Sequence, residues 1–186
     1  MSVMKILFAA TELGSVVGVG GLGQVVASLA GVLKNNGQDI KIALPYYKML
    51  DENQDLESPI LVWQGKIQFY DFRQISVYAS SFRIQNTKVQ LFLIKGHPWF
   101  EQATIPERIY SPDNNPEPYF YFSAALLAFL SKHKFWTPDI IHCHDYHTGL
   151  VSVYLKNKYN SHINRRSVAT VLTIHNLGFQ GIANPE

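Results

Sequence analysis

The sequence predicts an α/β fold, a Rossmann-like parallel sheet with helices on both faces and a β-rich insertion. Three observations lead there. Short apolar runs at residues 5–10, 39–44, 89–94, 138–144 and 167–174 read as buried strands. Helical patterns alternate with most of them, which is the signature of a parallel sheet. One stretch, residues 59–89, breaks the alternation with shorter, more polar strand-like runs.

Composition supports a packed domain. Of 186 residues, 47% are hydrophobic and 16% charged, which excludes a disordered chain. The length suits one domain, or one large domain cut short. The formal net charge of +2 gives no strong electrostatic case for nucleic acid. The single cysteine, Cys143, excludes an internal disulfide and a Cys-rich zinc site.

The elements follow in order. Residues 5–10 form a strand bounded by polar residues. A glycine-rich loop comes next, and six of the 12 glycines fall between Gly14 and Gly31. Residues 13–33 carry no charge and are about long enough to span a bilayer. So many glycines would cost a helix about 1 kcal/mol each, so strand, loop and helix is the better reading. No membrane contact is expected. The apolar run after Lys5 is also too short for a signal peptide, which leads to the expectation of a cytoplasmic protein.

Leu22, Val25, Val26, Leu29, Val32 and Leu33 recur at helical spacing, and Gly37 is a plausible stop. The helix is read over residues 24–35. A strand over 39–44 ends at Pro45, completing a βαβ unit. Residues 60–63, 66–70 and 74–78 read as short strands of a meander. Residues 96–118 read as a long loop, uncommon unless functional. A strongly apolar helix is expected over 119–133 and a further helix over 148–159.

Ligands of open parallel sheets bind beyond the carboxyl ends of the strands. Three suspicious segments sit at such ends. They are Gly18–Gly23, His142–His147 and His175-Asn176. Their convergence is the main argument for a functional cleft.

Gly18, Gly20 and Gly23 satisfy the spacing G-x-G-x-x-G, a weak dinucleotide signal. Asp39 is near the distance expected of a ribose ligand, but it begins its strand instead of ending it. Glycines before a helix also let backbone N–H groups approach an anion. The plain alternative is a tight turn that needs glycine for packing.

His142 and His144 alternate along a strand and point to one side, which with His147 suggests a metal-dependent hydrolase. The H-x-H-x-D-H order is not matched, because Asp145 follows His144 directly. A strand-end carboxylate beside imidazoles can instead bind sugar hydroxyls or stabilise positive charge. Asp145 could equally cap the next helix. Cys143 reads as a small core residue. His175 and Asn176 suit a hydroxyl-rich ligand. No G-x-S-x-G elbow is present.

Together these segments resemble the N-terminal half of bacterial glycogen synthase and plant starch synthase, retaining glucosyltransferases of the GT-B fold. The matching pieces are KILFAATE at 5–12, GGLG at 20–23, IALPY at 42–46, PDIIHCHD at 138–145 with His147, and TIHNLGFQG at 173–181. The resemblance implies transfer of glucose from ADP-glucose to the non-reducing end of an α-1,4-glucan. It places Gly20, Gly21, Leu22 and Gly23 by the donor's diphosphate and glucose. It places Asp145 at the reacting sugar, and His175 and Asn176 by the donor glucose, with His144 and Tyr146 beside them. It implies no metal and no cofactor.

This sequence departs from the family at four places. Gly18 stands for the usual Lys, Gln24 for Asp, Tyr146 for Trp, and Pro118-Tyr119 for Arg-Phe. The resemblance also implies a second Rossmann-like domain carrying an Arg-Lys pair, a catalytic Glu and the base pocket. Residues 1–186 are therefore read as one N-terminal domain, truncated at its C-terminal end and inactive alone. The alternative is a glucan-binding or regulatory module derived from a synthase.

Overall fold

The computed structural model describes residues 2–84, 86–110, 115–133, 135–159, 163, 167–178 and 180–181. Its strands are β1 (Lys5–Ala9), β2 (Asp39–Pro45), β3 (Ile60–Phe69), β4 (Asp71–Ile84), β5 (Thr87–Lys95), β6 (Ile140–His144) and β7 (Ala169–Thr173). Its helices are α1 (Gly21–Asn35), α2 (Pro98–Gln102), α3 (Glu117–Lys132) and α4 (Tyr146–Tyr154). The strands form one seven-stranded sheet in the order β3-β4-β5-β2-β1-β6-β7.

The sheet is mixed. β5, β2, β1, β6 and β7 run parallel, while β4 is antiparallel to both β3 and β5. The stretch expected as a small meander is thus an extension of the main sheet. The expected runs 60–63 and 66–70 are one strand, and 74–78 belongs to a 14-residue strand. The turn between them passes through Tyr70 at φ 55. Edge strands alternate because one of their faces meets water, which short windows of sequence resolve poorly.

Side chains alternate across a sheet, so register assigns the faces. Gly31 of α1 lies against Ile84, which pairs with Thr87, and Thr87, Val89 and Leu91 share that face. Phe92 points the other way and meets Phe129 of α3 at 4.9 Å between ring centres. Helices therefore cover both faces, as the sequence predicts. Leu7, Phe8, Ile42, Leu91, Leu93 and Phe122 are wholly buried in the core between them.

α1 begins at Gly21, three residues before the periodic apolar run suggests. Its glycines carry no apolar signal yet take helical geometry. The long connection at 96–118 is more ordered than expected. It contains α2 and a 3-10 turn at Pro106–Arg108, while its residues 111–114 lie outside the described ones. Among the described residues no helix is long and apolar enough to cross a membrane.

The chain leaves β1 for β2 on one side and later returns to β6 on the other. The strand order thus reverses between β1 and β6. In open α/β sheets this switch point is where a crevice opens beyond the carboxyl ends. The glycine loop follows β1, and Asp145 follows β6.

Candidate functional site

The ends of β6 and β7 are tied together through Asp145. Its backbone N–H donates to the Thr173 carbonyl at 2.9 Å. Its Oδ1 accepts the backbone N–H of His175 at 2.7 Å. Asp145 stands at the N-cap position of α4 but makes no side-chain cap bond. The carboxylate is therefore spent on the neighbouring strand end, not on helix capping.

Asp145 also carries backbone strain. It sits at φ 58 and ψ −179, a region that L-residues rarely adopt. Such a residue costs of order 1–3 kcal/mol and clusters at functional sites. Thr148 supports the bend. Its hydroxyl accepts the N–H of His144 at 2.7 Å and donates to the His144 carbonyl at 2.9 Å.

Three imidazoles line up beside the carboxylate, His142 stacked on His144 and His175 edge to edge with it. His142 and His144 are 4.3 Å apart between ring centres, and His144 and His175 are 5.2 Å apart. His142 Nε2 lies 2.6 Å from Thr173 Oγ1. His144 Nδ1 lies 2.9 Å from His175 Nε2. His144 is wholly buried, and burial with its two imidazole neighbours pushes its pKa down to about 3. It is neutral at ordinary pH. His175 is half-buried and Asn176 exposed, with Asn176 Oδ1 accepting the Gly178 N–H at 2.8 Å.

His147 belongs to a different environment. Its ring packs among Tyr110, Tyr119 and Tyr146, at 4.9, 4.6 and 3.8 Å between ring centres. Burial pushes its pKa down to about 3. His142 Nε2 and His144 Nδ1 are engaged by Thr173 and His175 instead. Among the described residues no three His, Cys, Asp or Glu side chains are arranged to hold a metal ion. Cys143 is buried, and burial raises its thiol to about 11, as suits a core residue.

The glycine loop is wrapped around a carboxylate that sequence reasoning missed. Glu12 is only 2% exposed. Its Oε2 accepts the N–H groups of Val19 and Gly20 at 3.0 and 3.1 Å. Its Oε1 accepts a hydrogen bond from the Tyr110 hydroxyl. The anion at these two amides is thus the protein's own. The sequence signals were an acidic residue directly before an uncharged stretch and its place at the end of KILFAATE. Nothing in the sequence tied it to Tyr110, 98 residues on.

The glycines divide into two kinds. A Cβ on Gly23 would come within 3.0 Å of the Gly14 nitrogen, so Gly23 is needed for packing. A Cβ on Gly20 or Gly21 would meet nothing within 4 Å, so these two face open space. Leu22 is buried and anchors the turn. No side chain caps α1, so its first-turn amides and positive dipole end are offered outward. The amides left for an outside anion are those of α1's first turn, because Val19 and Gly20 already donate to Glu12.

Tyr110 joins the two halves of the site. Its hydroxyl binds Glu12, and its ring packs on His147 at the start of α4. The Tyr146 ring lies against the chain at Gly181, where an added Cβ would overlap it. Gly181 sits at φ 65, so both space and backbone require glycine there.

This arrangement has relatives. The starch synthase catalytic domain matches residues 5–186. The chain belongs to that family. Glycogen synthase 1 of Synechocystis sp. is 39% identical over 178 residues, which is 96% of this chain and 33% of the relative. The glycogen synthase of Gloeobacter violaceus is 38% identical, covering 96% of this chain and 34% of the relative. The catalytic domain of Starch Synthase IV from Arabidopsis thaliana, solved bound to ADP and acarbose, superposes with a TM-score of 0.82 at 26% identity. That match covers 97% of this chain and 35% of the other. The chain spans about a third of the length of these synthases. The starch synthase family assignment agrees with the GT-B type of N-terminal domain that the sequence resembles.

Proposed function

We propose that this chain is the N-terminal, acceptor-side portion of a glycogen or starch synthase. The whole protein would transfer glucose from ADP-glucose to the non-reducing end of an α-1,4-glucan, with retention. The observation that carries this reading is the Asp145–His175 bond at the strand-order reversal, beside the uncapped start of α1.

In this reading the first turn of α1, with Gly20 and Gly21, receives the donor's diphosphate. His175 and Asn176 meet the hydroxyls of the donor glucose. Asp145 lies at the reacting carbon, where a carboxylate stabilises an oxocarbenium-like centre as the diphosphate departs. The leaving phosphate accepts the acceptor's proton. Tyr146, whose ring packs on His147 and against the chain at Gly181, borders the site on the glucan side. A second domain supplies the remaining donor contacts, so the chain alone binds without turning over.

The experiment is a nuclear magnetic resonance titration of the labelled chain with ADP-glucose and with malto-oligosaccharide. Shifts at Gly20, Gly21, Asp145 and His175 are expected. Shifts confined to other residues would contradict the reading. Gly18, where the family usually has Lys, favours a second reading, a glucan-binding or regulatory module. That reading predicts malto-oligosaccharide binding and no transfer in any longer protein containing this chain.

A further inference from the structure

We propose that His144 is a positioning residue that holds His175 in the tautomer carrying its proton on Nδ1. Between two imidazole nitrogens that face each other at 2.9 Å, one must carry the hydrogen. There are two ways to place it. Either His144 Nδ1–H donates to a lone pair on His175 Nε2, or His175 Nε2–H donates to a lone pair on His144 Nδ1.

The far side of His144 decides between them. Its Nε2 is buried and has no hydrogen-bond partner among the described residues. In the second arrangement that nitrogen would carry a hydrogen with nothing to accept it. In the first it is a bare lone pair. Orphaned buried N–H groups are rarer and costlier than unfilled acceptors. The same ring is kept neutral by burial and by the imidazoles of His142 and His175 beside it. Phe8 closes another side at 5.1 Å between ring centres.

The first arrangement fixes both rings. His144 has Nδ1 protonated and Nε2 bare, and so does His175. A free imidazole in water favours the opposite form, with the proton on Nε2. His144 therefore turns His175 into a donor on the nitrogen that faces away from His144. The Asp145 carboxylate holds the backbone of the same residue, so orientation and protonation are set by adjacent residues of one strand end. The use of that N–H toward an oxygen of a sugar rests on the synthase reading above. The tautomer itself does not.

The test is a long-range proton–nitrogen correlation spectrum of the nitrogen-15-labelled 186-residue chain at neutral pH, with no ligand. Protonated Nδ1 and bare Nε2 are expected on both His144 and His175. A protonated Nε2 on His175 would overturn the proposal. His144→Asn places an amide donor near the position of Nδ1 and should keep the His175 tautomer. His144→Phe removes the donor, and His175 should then revert to the form protonated on Nε2. A folded His144→Phe variant that retains the Nδ1 form would show that another group sets it. If that variant does not fold, the wild-type and His144→Asn spectra still decide. A failed ADP-glucose titration with the expected tautomer would count against the synthase reading alone.

Discussion

The Oδ1 of Asp145 accepts the backbone N–H of His175 at 2.7 Å, so a strained residue after β6 fixes a residue just beyond β7. This single bond joins the two strand ends that the sequence marked separately. Asp145→Ala removes a charged acceptor and keeps the strained backbone, and is expected to cost about 2 kcal/mol. Asp145→Asn keeps an acceptor oxygen and is expected to cost less than about 1 kcal/mol. Urea unfolding of the two variants checks this, and equal losses would argue against the bond's structural role.

Glu12 holds the glycine loop from inside. Glu12→Ala leaves the Val19 and Gly20 amides and the Tyr110 hydroxyl without their shared acceptor. The expected loss is about 3 kcal/mol, because several bonds to one buried carboxylate go at once. Hydrogen exchange at Val19 and Gly20 should accelerate well beyond the global change. Unchanged exchange at those two amides would contradict the assignment.

Acid should destabilise the fold through its neutral imidazoles. His144 and His147 fall from an ordinary 6.5 to about 3 on folding, so the unfolded chain binds protons that the native one refuses. Their contribution is complete above about pH 6.5 and is lost as pH falls from there toward about 3. The slope approaches about 1.4 kcal/mol per pH unit for each imidazole. His142 and His97, also lowered by burial, act with the same sign. Unfolding midpoints measured across this range test the slope, and His147→Phe should flatten it.

Gly18 leaves room for the cation that the family usually carries. Its φ lies outside the left-handed region, and an added Cβ would lie 3.1 Å from the Gly14 carbonyl oxygen and 3.3 Å from Glu12 Oε2. A few tenths of an ångström of adjustment should admit a side chain. Gly18→Lys is expected to fold and to tighten ADP binding by about 0.2–1 kcal/mol, the value of an exposed ion pair. Calorimetric titration measures it, and unchanged affinity would mean that the diphosphate does not lie near this loop.

Much of this was legible because it is periodic or local. The buried strands and the apolar α3 announce themselves by runs of Ile, Leu, Val and Phe. The clusters at Gly18–Gly23, His142–His147 and His175-Asn176 lie at strand ends for the same reason. Long-range polar pairing was not legible. The bonds from Glu12 to Tyr110 and from His144 to His175 span 98 and 31 residues and leave no spacing signal. Nor did the polar alternation of β3 and β4 reveal that they extend the main sheet, since a half-exposed strand looks alike in either setting. The positive φ of Asp145 was invisible too, because the residue there is not glycine.

In the function proposed, Asp145 serves glucosyl transfer at a cleft completed by a second domain. The direct measurement joins this chain to the C-terminal two thirds of Synechocystis glycogen synthase 1 and follows glucose transfer from ADP-glucose to malto-oligosaccharide. Transfer by the folded hybrid is expected, with a loss of about 100-fold or more in Asp145→Asn, the scale of removing one transition-state contact. A folded hybrid without transfer, or an Asp145→Asn hybrid as active as its parent, would contradict it.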